Sequence, residues 1–220
     1  MPSHSSRPRW RPNRRDCMLP LALDLSSWPV LLVGDGPPAL KRLDMLEAAG
    51  AMALRVFAED PSARMRARAG TLLQARLPTE EEVASARLLF VAGLPRDVSA
   101  RLAAIARAHR VLVNVEDLPP LCDAYALAMV RRGHLVLGVS TEGRSPAVAA
   151  QLRRWLETRF GPEWSDLLEA AAALRDRMRA EGAAPAAVSE ATATLLAPHL
   201  DGSPEGLPQG AASTQDHASP

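Results

Sequence analysis

The run Val30-Leu31-Leu32-Val33-Gly34-Asp35-Gly36-Pro37-Pro38-Ala39 constrains the fold more than any other stretch of the chain. Four apolar residues without alternation predict a strand buried on both faces, as parallel sheets require. Gly34 and Gly36 break that strand. From Ala39 the apolar residues Leu40, Leu43, Leu46 and Ala49 recur at helical spacing until Gly50. Strand, glycine turn and helix therefore follow one another in the pattern G-x-G-x-x-A. In such a turn Gly34 permits the tight reversal, Gly36 lets the backbone approach a pyrophosphate, and the small Ala39 lets helix and strand pack closely. The N–H groups and the positive dipole end of the helix hold phosphate charge. Pro37 and Pro38 each remove an N–H donor, although proline suits a first helical turn. The glycine motif alone also fits a plain tight turn. Its context of strand, helix and second strand favours a dinucleotide site in which Gly34, Asp35, Gly36, Pro37, Pro38 and Ala39 form the cofactor-binding turn.

Further along, Met52-Ala53-Leu54-Arg55-Val56-Phe57 predicts a second strand. An acid at the end of this strand often takes the ribose hydroxyls in nucleotide-binding folds. Ala58 stands first here, and Glu59 and Asp60 follow, so the acid is displaced and also suits the turn before Pro61. Ser62 to Ala69 reads as a short basic helix, Thr71 to Ala75 as a short strand, and Thr79-Glu80-Glu81-Glu82 as a capped helix start. Arg87 to Ala92 and Val111 to Val115 predict two more buried strands, separated by a helix over Asp97 to His109. This alternation argues for an α/β fold, a Rossmann-like doubly wound parallel sheet. Beyond Glu116, strands over 126–131 and 134–140 and helices over 145–160, 164–180 and 186–196 are expected. Leu167, Leu168, Ala171, Leu174 and Met178 form an apolar stripe on the second of these helices, the mark of a packing or dimer face.

Bulk properties exclude several classes. Net charge is +1, with 26 basic and 25 acidic residues, and aromatics make up 4%, so neither charge nor stacking surface argues for nucleic acid. The two cysteines, Cys17 and Cys122, suggest neither a disulfide framework nor a metal cluster and point to a reducing compartment. No apolar run approaches the roughly 18 residues of a membrane span. A soluble, cytoplasmic protein with no resident metal is the expectation.

Three blocks resemble the precorrin-2 dehydrogenase and sirohydrochlorin ferrochelatase family, the N-terminal module of siroheme synthase. The first joins Leu19-Pro20-Leu21-Ala22-Leu23-Asp24-Leu25 to Val33 through Arg42. The second is Val113-Asn114-Val115-Glu116-Asp117 with Leu121-Cys122-Asp123. The third is Gly138 through Pro146 and the helix after it. The resemblance implies NAD-dependent oxidation of precorrin-2 to sirohydrochlorin, and in some members insertion of ferrous iron. It implies a homodimer whose segment after the nucleotide domain joins the subunits. Asp117 matches the family's catalytic aspartate, a general base or acid at the tetrapyrrole; by its own setting it reads equally as a loop acid. Ser140, Thr141, Gly143 and Ser145 match the loop near the substrate, and Arg144, Arg131 and Arg132 are candidate clamps for tetrapyrrole carboxylates. The cofactor pocket extends to Ala58, Gly93 and Val115. The expected organisation is a basic disordered tail over 1–17, a nucleotide domain over 18–116, a dimerisation and active-site segment over 117–150, a helical domain over 151–199 and a disordered tail over 200–220.

The chain also departs from this family. Asp35 replaces a glycine and puts negative charge near the pyrophosphate position. Gly93-Leu94-Pro95 stands in place of a Thr-Asp or Thr-Asn pair, and Glu142 in place of a glycine. The stretch after Cys122-Asp123 lacks its aromatic bulk and proline. These changes motivate a second expectation, a catalytically decayed, dimeric relative that binds tetrapyrrole or nucleotide.

Overall fold

The computed structural model describes residues 18–200; the two tails expected to be disordered, 1–17 and 201–220, lie outside the described residues. Within it the chain forms two compact units, one over 18–128 and 139–150, the other over 129–138 and 151–200. The segment 117–150 is thus divided between them.

The first unit is built on five parallel strands: β1 (Pro29–Gly34), β2 (Ala53–Phe57), β3 (Leu73–Gln74), β4 (Leu88–Ala92) and β5 (Leu112–Val115). Their spatial order is β3-β2-β1-β4-β5. The central strand β1 is buried because its side chains serve two cores at once. Val30 and Leu32 point into a layer with Leu40, Leu43, Leu46 and Met65. Leu31 and Val33 point into the opposite layer with Leu89, Leu102, Ala103 and Ala106. Two-sided burial is the reason its sequence shows no alternation.

The helices α1 (Gly36–Ala48) and α2 (Ala63–Ala69) supply the first layer, and α3 (Glu80–Ala84) and α4 (Arg96–Ala108) the second. Helix α1 starts three residues before its apolar period does, since the fixed φ of Pro37 and Pro38 already fits a first turn. Ser62 caps α2 by accepting the Met65 N–H at 3.2 Å. Thr79 and Glu82 close the expected capping box on α3. The lead-in segment before β1 is irregular, with Leu25 buried and Leu19 and Leu21 exposed.

The second unit contains most of a two-stranded ribbon, β6 (Ala128–Arg132) and β7 (Leu135–Val139), and the helical region. The ribbon reverses at Gly133-His134, one residue later than expected. Helix α5 (Pro146–Arg159) begins at the predicted proline, α6 spans Glu163–Ala180, and α7 runs over Pro185–Leu200, past Pro198. The guanidinium of Arg132, a candidate clamp, donates to the carbonyl oxygens of Phe160 at 2.8 Å and Glu157 at 3.1 Å, closing the last turn of α5.

Candidate functional site

Parallel pairing places the carboxyl ends of β1, β2, β4 and β5 along one edge: Gly34 lies beside Ala92, Val33 beside Phe57, and Val91 beside Val115. The chain reverses its winding between β1 and β4, and a crevice outside that point is where open α/β sheets bind ligands. The glycine turn, Ala58, Gly93, Val115 and Asp117 all belong to this edge.

The two connections that flank the switch point interlock through glycine. A Cβ on Gly34, whose φ is +132°, would overlap the carbonyl oxygen of Ala92. A Cβ on Gly93 would overlap the carbonyl oxygen of Asp35. Gly93 therefore has a packing reason to lack a side chain, and the Thr-Asp pair of the family has no room for its first member in this arrangement. Gly36 differs. A Cβ there would meet only the Pro38 ring carbon at 3.7 Å, so this face of the turn is open to the backbone of a ligand. The turn leaves room for a pyrophosphate at the start of α1, where Pro37 and Pro38 contribute no N–H.

Three predicted positions contribute through packing. Ala39, Ala58 and Val115 are buried, with Ala58 N–H bonded to the Gln74 carbonyl oxygen at 3.1 Å. Asp35 makes no side-chain cap on its own helix. Its carboxylate accepts the backbone N–H of Ser62 at 2.6 Å and the Ser62 hydroxyl at 3.0 Å. Partial burial opposes its ionisation, but these bonds, the Gly36 N–H and the charge of Arg66 outweigh that and hold the carboxyl below its ordinary value. The link spans 27 residues, and no local pattern in the sequence announces it.

Asp117 sits in the loop after β5 with φ at +53°, a left-handed backbone that Asp adopts more readily than most residues. It is exposed. The loop folds back on β5 through Asp123 N–H to Val113 O at 2.7 Å. Cys122 pins it as well: its sulfur accepts the Val115 N–H at 3.2 Å and donates to the Val115 carbonyl oxygen at 3.1 Å. Burial pushes the thiol pKa up, so Cys122 remains a neutral donor. From the other side Arg107 reaches Asp123 at 3.0 Å and Pro120 O at 3.3 Å. Beneath the loop, Asn114 donates to Ala124 O at 2.9 Å while its buried amide oxygen has no partner among the described residues.

The predicted substrate loop is organised by its own hydroxyls. Thr141 Oγ donates to Ser145 O at 3.0 Å and accepts Ser145 N–H at 3.2 Å. Ser145 Oγ takes the Val148 N–H at 3.3 Å, and Ser140 Oγ the Glu142 N–H at 3.1 Å. Gly143 takes a φ of +77° and would meet nothing on gaining a Cβ, and Arg144 is exposed. A concavity of about 580 Å³ between α6 and α7 is lined by Arg175, Arg179, Val188 and Leu196 and contains none of the predicted site residues.

Fold and site edge define a doubly wound α/β protein of the nucleotide-binding class. Residues 21–128 match the family model described as "Putative NAD(P)-binding". The chain is 36% identical to the siroheme synthase of Methylococcus capsulatus over 163 residues, 73% of this chain and 34% of that one. Identity to the siroheme synthase of Ectopseudomonas mendocina is 32% over 162 residues, 73% and 35% of the two chains. The chain spans about a third of the length of these curated relatives. A solved structure named SirC, precorrin-2 dehydrogenase, superposes with a TM-score of 0.64 at 22% identity, covering 81% of this chain and 89% of that one, which supports the fold. The chain belongs to the family of the N-terminal module of siroheme synthases. Among the described residues no helix is long and apolar enough to cross a membrane, and no group of three or more potential metal-holding side chains comes together.

Proposed function

We propose that this protein is an NAD-dependent dehydrogenase that oxidises precorrin-2 to sirohydrochlorin in the cytoplasm. One observation supports it above the rest: an exposed aspartate in a left-handed loop, pinned by Cys122 and Arg107, lies at the same sheet edge as an open glycine turn. The relatives' names supply the substrate class. The nicotinamide, when bound, accepts a hydride from the reduced macrocycle. The chain's own residues then do the remaining work. Gly36 and the start of α1 seat the pyrophosphate, and the interlocked Gly34 and Gly93 keep the two flanking connections in register. The macrocycle loses one hydride and one proton, and the Asp117 carboxylate takes the proton. The loop of Ser140, Thr141, Gly143, Arg144 and Ser145 borders the substrate, with Arg144 facing its carboxylates.

Insertion of ferrous iron, as substrate, into sirohydrochlorin is the second step we assign to the same carboxylate, which would accept pyrrole protons as the metal enters. The functional form is a homodimer, a reading supported by the half-exposed apolar helices of the second unit. The experiment is anaerobic incubation with precorrin-2 and NAD⁺, following NADH and sirohydrochlorin by absorbance, with Asp117→Asn alongside. The expected outcome is turnover in the native protein and a loss of about 100-fold or more in the variant. Equal rates in both would remove Asp117 from the chemistry. Absence of turnover in folded native protein would favour a decayed binding relative.

A further inference from the structure

Asp35 occupies the residue position that precedes helix α1, where an aspartate ordinarily accepts the N–H groups of the second and third helical residues. Those residues are Pro37 and Pro38, and neither has an N–H to give. The carboxylate makes no such cap and instead crosses to the β2–α2 connection, where Ser62 donates both its backbone N–H and its hydroxyl. It thereby bridges the glycine turn and the connection that follows β2, the two segments between which the dinucleotide reading puts the adenosine ribose. At the end of β2 itself stands Ala58, with only a buried methyl group, so no acid is fixed there to take ribose hydroxyls. The nearby cation Arg66 would attract an extra phosphate on that ribose, yet its field already acts on Asp35.

We propose that Asp35 selects between nicotinamide dinucleotides, admitting the form with a free ribose 2′-hydroxyl and rejecting the 2′-phosphorylated form. The inference rests on the dinucleotide reading above and adds a named determinant to it. A fixed carboxylate beside a ribose accepts a hydroxyl proton but repels a phosphate that carries up to two charges. The motif residue that departs from the usual glycine thus takes over the task normally given to an acid at the end of the second strand.

The test is calorimetric titration of the purified full chain with NAD⁺ and with NADP⁺, compared with Asp35→Asn. Asparagine keeps an oxygen to accept the Ser62 N–H and removes only the charge, so the loops stay joined. In the native protein NADP⁺ is expected to bind about tenfold or more weakly than NAD⁺ at low salt. In the variant that gap should close to about threefold or less, chiefly through tighter NADP⁺ binding. Raising the salt should narrow the gap in the native protein and leave the variant nearly unchanged. Asp35→Gly, which the extended backbone at this position tolerates, serves as a second charge-free variant if the first does not fold. An NAD⁺/NADP⁺ ratio equal in native and charge-free proteins overturns the proposal alone, because NAD⁺ still binds. A natively melting protein that binds neither nucleotide overturns both the proposal and the dinucleotide reading beneath it.

Discussion

Strands β1 and β4 and helix α7 are made of comparably apolar sequence, yet the strands bury it and the helix does not. Val30 to Val33 are essentially inaccessible, as are Leu89 and Val91. In α7 the run from Ala186 to Ala197 is largely apolar, and Val188 alone among its residues is buried. Across the described part of the second unit only Val130, Trp164, Leu167 and Val188 are buried hydrophobics. A sheet strand satisfies its hydrophobicity by contacts above, below and on both sides within one chain. Apolar helix surface left uncovered in this way is what supports the dimer proposed above.

That contrast can be broken or sharpened in three steps. Gly34→Ala should have the largest effect, because the new methyl group would overlap the Ala92 backbone and no side chain can rotate to relieve it. A loss of about 4 kcal/mol or more, or failure to accumulate as soluble protein, is expected in chemical denaturation. Next, Leu89→Ala should cost about 3 kcal/mol, whereas Leu196→Ala should cost under about 1 kcal/mol in dilute protein. If the Leu196 cost rises with protein concentration, and the melting temperature with it, the helices are covered by a second copy. If it does not, the apolar surface of α7 is left to solvent and the dimer reading fails.

The smallest effect belongs to the rim of the sheet unit. Hydrogen bonds from Arg76 and from the Thr79 N–H hold the Glu82 carboxyl at about 2 against its ordinary 4.5. A depressed carboxylate stabilises the fold above its unfolded value, and that contribution disappears as pH falls from 4.5 towards 2. Glu82→Gln should therefore flatten the pH dependence of the denaturation midpoint within that window, with a small loss of stability at neutral pH, where the partly exposed ion pair contributes in full, and almost none near pH 2. An unaltered acid slope would show that the ion pair is too exposed to matter.

Much of the sheet unit was legible because its signals are local. The two-sided burial of β1, the capping box at Thr79 and the helix start at Pro146 each reside in a handful of consecutive residues. The glycine turn shows in its own strand, turn and helix pattern, and the resemblance singled out Asp117 by the order and spacing of three blocks. What remained hidden is long-range. Asp35 looks like a charge aimed at a phosphate until Ser62, far along the chain, is seen to hold it. Gly93 looks like a lost hydroxyl until the carbonyl of Asp35 is seen against it. Arg132 looks like one more surface arginine until the end of α5 is folded beside it. In each case a side chain finds its partner only through the fold, and no periodicity records that.

The pinning of the Asp117 loop by Cys122 has a consequence for covalent chemistry. Alkylating reagents attack thiolates, and this thiol is kept protonated and engaged with both backbone groups of Val115. It can react only while the loop has let go of the strand. The modification rate at this one sulfur, in protein whose other cysteine, Cys17, is replaced by serine, is therefore a clock for the opening of the Asp117 loop. A ligand that settles on Asp117 would slow it without touching the sulfur.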